Sequence, residues 1–133
     1  MAYADRHVWS SPLVDGSSTG DKAHFSGGTN RVQIHKLGVV LLDATTGAGV
    51  VAFDKLDEDG TRGSADVGEI TVGINAQTGG YLYYEEDLTP SVLNVGEAVI
   101  AEVTDAFDAN ALITIEYSIL DQDIGAVDNA TAG

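Results

Sequence analysis

Apolar and polar positions alternate from residue 111 to 120, ALITIEYSIL. Ile113, Ile115, Tyr117 and Ile119 share one parity, and Thr114, Glu116 and Ser118 the other. Successive side chains of an extended chain point to opposite faces, so the pattern predicts a strand with one buried and one wet side. EAVIAEVTD repeats it, with Val99, Ala101 and Val103 set against Glu102 and Thr104. In VGEITVGIN, Ile70, Val72 and Ile74 alternate with Glu69, Thr71 and Gly73. RVQIHKLGVVLLD starts alternating at Val32 and Ile34 and then becomes continuous over Val39-Val40-Leu41-Leu42. That predicts a strand covered on both faces and bent at Gly38. VVAFDKL, from Val50, is the expected hairpin partner across ATTGAG. The predicted core is Val39, Leu41, Val72, Ile74, Val99, Val103, Ile113, Ile115 and Ile119.

Turn signals separate these runs: DEDG, QTGG, LNVGE and DAFDAN. Their spacing suits an antiparallel all-β fold, a β-sandwich or barrel of jelly-roll-like kind. No stretch of about ten residues carries helical periodicity. Residues 1 to 30 carry Asp, Gly, Ser and Thr clusters around Val8-Trp9 and Leu13-Val14. They predict an extended N-terminal arm with sticky points. The expected organisation is this arm, a single domain over 31–124, and a flexible C-terminal tail over 125–133.

Composition narrows the class. The 133 residues suit one domain, and the lack of cysteine excludes disulfides and thiolate metal sites. MAYADRHVWSSPLV shows no basic segment followed by an apolar one, so no secretory signal is expected. No apolar run approaches the roughly 20 residues that span a bilayer, and no membrane partner is expected. Net charge is −15, and all six basic residues lie within the first 62 positions, against eight acids there. Beyond them stand thirteen acids and no base. Such a surface repels phosphates, so nucleic acid is not an expected partner. Acidity of this kind serves solubility, and it is also consistent with a near-neutral N-terminal part that docks while the rest faces solvent.

Candidate chemistry is sparse. GGYLYYEEDLTP sets three tyrosines beside three acids. On a strand, Tyr81 and Tyr83 share one face and Leu82 and Tyr84 the other, and the adjacent Glu85 and Glu86 point apart. They form no facing carboxylate pair, so a strand with a solvated acidic end is the better reading than a glycosidase cleft. DKLDEDGTRG offers Asp54, Asp57, Glu58 and Asp59 before Gly60, which resembles part of a calcium loop. The remaining calcium ligands do not follow, and Arg62 falls where an oxygen would help, so an acidic turn is expected and no metal. His7, His24 and His35 have no metal-ligand spacing. Gly-x-Ser-x-Gly is absent, and no glycine-rich stretch ends in Lys-Ser/Thr, so neither a catalytic serine nor a phosphate loop is supported. No catalytic residue and no cofactor are expected. Trp9, the one tryptophan, must bury against its own domain or a neighbour.

A compact cysteine-free β chain with a polar leading segment and an alternating last strand resembles the small head decoration, or cement, proteins of tailed bacteriophages. GGYLYYEEDLTPSVLNVGEAVIAEVTDA, followed by ANALITIEYSIL, looks like the second half of such barrels. The likeness covers residues 32 to 120 and is one of pattern and composition, with no diagnostic motif. It implies a homotrimer seated on the capsid surface of the virion, where it binds the major capsid protein and clamps neighbouring coat subunits without catalysis or cofactor. Val8, Trp9, Leu13 and Val14 of the arm are the expected partner-binding residues. Two rival classes are a carbohydrate-binding or adhesin-type sandwich using Tyr81, Tyr83 and Tyr84, and a small jelly-roll enzyme.

Overall fold

The alternating runs become strands. The computed structural model describes residues 5–75, 80–89 and 91–120, apart from the side chains of 63–66. In chain order the strands are β1 (Arg6–Ser10), β2 (Val14–Asp15), β3 (Gly20–Ser26), β4 (Val32–Leu41), β5 (Gly49–Leu56), β6 (Arg62–Val72), β7 (Tyr81–Glu85), β8 (Val92–Leu93), β9 (Ala98–Asp105) and β10 (Asn110–Ile119). No helix occurs among the described residues, and so none that is long and apolar enough to cross a membrane.

Two antiparallel sheets face each other. One runs β1-β10-β4-β7, with β2 beside β10 and β8 beside β4, and the other runs β3-β9-β5-β6. Without the two-residue strands β2 and β8, the eight that remain, counted along the chain, run 1-8-3-6 in one sheet and 2-7-4-5 in the other. That interleaving is a jelly roll. The sheets form an open sandwich, not a closed barrel. Its filling comes from one parity of each strand: Ile113 and Ile115 of β10, Val51 and Phe53 of β5, Val99 and Val103 of β9, and Val72 of β6, all buried.

Five expectations are corrected. β4 is not covered on both faces. Glu116 pairs with Lys36 and Tyr117 with Ile34, which leaves His35 as the extra residue of a β-bulge. The bulge inverts the parity, so Val32 and Ile34 before it and Leu37, Val39 and Leu41 after it all point inward. β5 is not the hairpin partner of β4. One edge of β4 is taken by β10 and the other by β7 and β8, so β5 enters the opposite sheet between β9 and β6. Ile74 is 70% exposed, because the ladder with β5 ends at Gly49 and Val72 and the sandwich no longer covers the residues beyond that pair. Ile119 is only half-buried at the end of the last strand.

The fifth correction concerns the arm. From Arg6 onward, the segment expected to be an extended arm is built into both sheets. β1 pairs with β10 from Arg6–Ser118 to Ser10–Thr114, and β3 pairs with β9. The cause is apolar burial that composition hides. Val14 and Phe25 are buried, the Trp9 and Phe25 rings lie 5.4 Å apart, and the Phe25 and Tyr117 rings 5.0 Å. Expected features at 76–79, at Pro90 and in the 125–133 tail lie outside the described residues.

Candidate docking face

The outward parity of the β1-β10-β4-β7 sheet is set by its register. Leu112, Val40 and Leu82 stand side by side across β10, β4 and β7. The next outward row is Ser10, Thr114, Gly38 and Tyr84, and beyond it stand Val8, Glu116 and Lys36. Val8 is 67% exposed, Tyr84 57% and Leu82 40%. A shallow groove of about 210 Å³ runs between Val8, Lys36, Val40, Leu82, Thr114 and Glu116. Gly38 keeps the middle of the sheet low: a Cβ there would stand 2.3 Å from Thr114 Oγ1 and 3.0 Å from Leu82 Cδ1.

The charge of this face differs from that of the whole chain. Among the described residues, the outward parity of β1, β10 and β4 carries Arg6 and Lys36 against Glu116, and Asp15 of β2 stands beside Asn110 at the far edge. Arg6 donates to Glu116 Oε1 at 2.6 Å, and the Lys36 ammonium lies 4.4 Å from the Tyr84 ring centroid. Beside them His35 Nε2 lies 2.8 Å from Ser118 Oγ. Burial, and then the nearby Arg6 charge, hold His35 below its ordinary pKa, although Glu116 pulls the other way.

The acids gather elsewhere. On the opposite sheet Arg62 is a hub, 2.7 Å from Asp21, 3.3 Å from Glu102 and 3.6 Å from Asp54. The hydrogen bond it donates to Asp21 is the chief cause of a raised Arg62 pKa. Lys55 pairs with Glu97 at 2.9 Å. Burial would raise the Glu97 pKa, but the Asn94 N–H and Lys55 outweigh it and the net shift is downward. One end of the sandwich carries Asp57, Glu58, Asp59 and Glu97, and the other Asp15, Asp43 and Asp108.

The other candidate residues fall into place around this division. DEDG is the turn between β5 and β6, where Gly60 N donates to Asp57 O at 2.9 Å and Thr61 N to Asp59 Oδ1 at 2.9 Å. The Thr61 hydrogen bonds keep Asp59 below its ordinary pKa. Among the described residues no three His, Asp or Glu side chains are placed to share a metal ion. The tyrosines form no common platform. The Tyr81 and Tyr83 rings lie 4.8 Å apart on one face of β7, where Tyr83 Oη donates to Gly73 O at 3.2 Å. Tyr84 is on the other face, against Lys36. Glu85 Oε2 accepts from the backbone N–H groups of Glu86 and Asp87. The histidines stand on three strands: His7 on β1, its ring tilted against that of Tyr117 with centroids 5.3 Å apart, His24 on β3 and His35 on β4. Of the four expected partner-binding residues, Val14 is buried and Trp9 packs on the core, whereas Val8 and Leu13 remain exposed.

Sequence reasoning missed a polar clasp in the DAFDAN turn. Asp108 adopts φ +45°, a left-handed conformation that Asp tolerates better than most residues. Its Oδ1 accepts from Thr45 Oγ1, from Thr46 N at 3.1 Å and from Gly47 N at 3.2 Å, and its Oδ2 from Thr46 Oγ1 at 2.7 Å. Phe107 O shares the single Thr45 hydroxyl proton with Asp108 Oδ1. These donors, the Thr45 and Thr46 hydroxyls first, hold the Asp108 carboxyl at a pKa of about 2. The clasp ties the β4–β5 crossing to the β9–β10 turn. The available signal was a Thr-Thr-Gly stretch and an Asp within separate turns.

No family model matches the chain, and no curated protein matches it in sequence. Three solved structures have similar strand arrangements. The SPBc2 prophage-derived protein YomS is 12% identical over 90% of this chain and 96% of its own, with a TM-score of 0.49. The Yersinia pseudotuberculosis-derived mitogen is 10% identical over 90% of both chains, at 0.42. A chain in the structure of infectious bursal disease virus Gx strain is 14% identical over 87% of this chain and 32% of its own, at 0.46. At these identities and scores the likeness does not reach to function.

Proposed function

We propose that the protein is a non-catalytic structural component of a bacteriophage virion. It decorates the capsid surface as a homotrimer and stabilises it by binding the major capsid protein lattice. The observation that carries this reading is the segregation of charge. A chain of net charge −15 leaves one sheet face where the exposed Val8, Leu82 and Tyr84 stand with Arg6, Lys36 and Glu116. An acidic body keeps the free protein soluble, and an acid-poor apolar face can shed water against a protein surface. The resemblance of residues 32 to 120 to head decoration proteins supports the same assignment. In the rival carbohydrate-binding reading the tyrosines would act together, but they stand on opposite faces of β7.

The test is co-sedimentation of the purified protein with expanded empty phage heads, alongside sedimentation equilibrium of the free protein. The expected result is saturable binding at a fixed ratio to coat subunits, a trimeric mass, and heads that survive higher temperature. Absence of binding to heads, with selective binding to a glycan array, would replace this reading with the carbohydrate-binding one.

A further inference from the structure

The capsid reading leaves open which surface of the molecule meets the coat. We infer that the outward face of the β1-β10-β4-β7 sheet is the seat, and that the coat surface opposite is apolar at its centre with acidic side chains at its rim. This inference rests on the capsid reading.

Three observations point to that face and that partner chemistry. First, the row Leu112–Val40–Leu82 is an apolar strip across three strands, with Tyr84 next to it on β7 and Val8 of β1 facing it across the groove. Apolar surface contributes to association roughly in proportion to the area removed from water, at about 25 cal/mol per Å², less the costs of association. Second, the cations Arg6 and Lys36 stand at the Val8 edge of the patch, away from Asp15 of β2. Glu116 is engaged by Arg6, and Lys36 stands over Tyr84 rather than in an ion pair with a carboxylate of the described residues. An acidic rim on the partner complements these cations. Third, the opposite sheet is a poor seat. Of its cations, Arg62 and Lys55 are committed to Asp21, Asp54, Glu102 and Glu97, and Lys22 donates to Ser18 Oγ at 2.7 Å, so a partner there would have to desolvate an ionic network.

A second copy of this chain is a worse occupant. Face to face, two copies would set Arg6 and Lys36 of one near those of the other. The seat also differs from the one expected of an arm. Trp9 and Val14 serve the protein's own core, and Val8 belongs to the face through its place on β1.

The experiment compares three variants with the wild type in head co-sedimentation across a salt series, with thermal melts as a folding check. Val8→Glu/Leu82→Glu places two acids on exposed positions of the face. Lys36→Glu reverses one cation, and Glu69→Lys changes an exposed residue of the opposite sheet. The expected result is a loss of at least 100-fold in affinity for the double variant with its melting temperature within a few degrees of wild type. Lys36→Glu should lose about tenfold and show a flatter salt dependence, and Glu69→Lys should bind as wild type. Wild-type binding to heads that the double variant retains would overturn the seat and leave the capsid reading standing. The seat is also overturned if the double variant binds heads normally but falls from trimer to monomer, because the face then lies between copies. Wild type that fails to bind heads at all overturns both.

Discussion

Phe107 should be among the most costly side chains to truncate, although it lies in a turn. It is fully buried between β9 and β10, at the end of the sandwich. Its N–H donates to Gly16 O at 2.9 Å, and Thr45 hydrogen-bonds its carbonyl. Three loops therefore close on one ring: the β2–β3 turn, the β4–β5 crossing and the β9–β10 turn. The packing leaves no slack, since a Cβ on Gly16 would stand 2.1 Å from the Phe107 ring and one on Gly49 2.8 Å from Phe107 Cβ. Phe107→Ala removes the transfer free energy of the ring and leaves a cavity that these loops cannot collapse into, for a cost of about 3–5 kcal/mol. Against a stability of about 5–15 kcal/mol, that is a large fraction. Unfolding entropy of about 2.1 cal/mol/K per residue makes each kcal/mol worth roughly 3–4 °C in a chain of this size, so the melting temperature should fall by roughly 10–20 °C. Urea titration followed by circular dichroism measures the change directly. Gly16→Ala should also destabilise, and with Phe107→Ala the two should be less than additive, because they contest the same space. A cost below about 1 kcal/mol for Phe107→Ala, with an unchanged urea slope, would refute the reasoning.

Ile115→Asp should abolish folding, because it sets an unpaired charge between Trp9 and Leu37 in the filling of the sandwich, at a cost of several kcal/mol; a soluble, cooperatively melting variant would contradict this. Asp108→Asn should lower stability at neutral pH and flatten its acid dependence. The Asp108 carboxyl titrates near 2 when folded, against an ordinary 3.8, so its contribution is complete above about 3.8 and is lost as pH falls toward 2. Melting curves of wild type and variant between pH 2 and 5 should converge at the acid end, and parallel curves would argue against the clasp.

Alternation is legible wherever a strand runs unbroken. Parity alone places Val99, Val103, Ile113 and Ile115 in the core, and the acidic DEDG turn and the Tyr81–Tyr83 pairing follow from equally local rules. Parity is a property of one extended segment, and a segment's own residues can display it. Which strands become neighbours depends on both edges of each strand and on what the opposite sheet still leaves uncovered. The partner of β5 is therefore not legible in its own residues, and the first thirty residues look like an arm in composition although Trp9, Val14 and Phe25 complete the sandwich. The bulge at His35 is the sharpest case. One unmatched residue turns Leu37, Val39 and Leu41 inward and leaves Lys36 and Val40 on the outer face, so the continuous apolar run of β4 supplies both the core and the proposed seat. No periodicity within β4 could reveal this, because a bulge exists only relative to the strand beside it. The acid-poor face is likewise a product of register. Arg6, Lys36, Val8 and Leu82 come from three distant parts of the chain, and only the assembled sheet, by pairing β1 and β4 with β10 and β7 with β4, puts them on one surface.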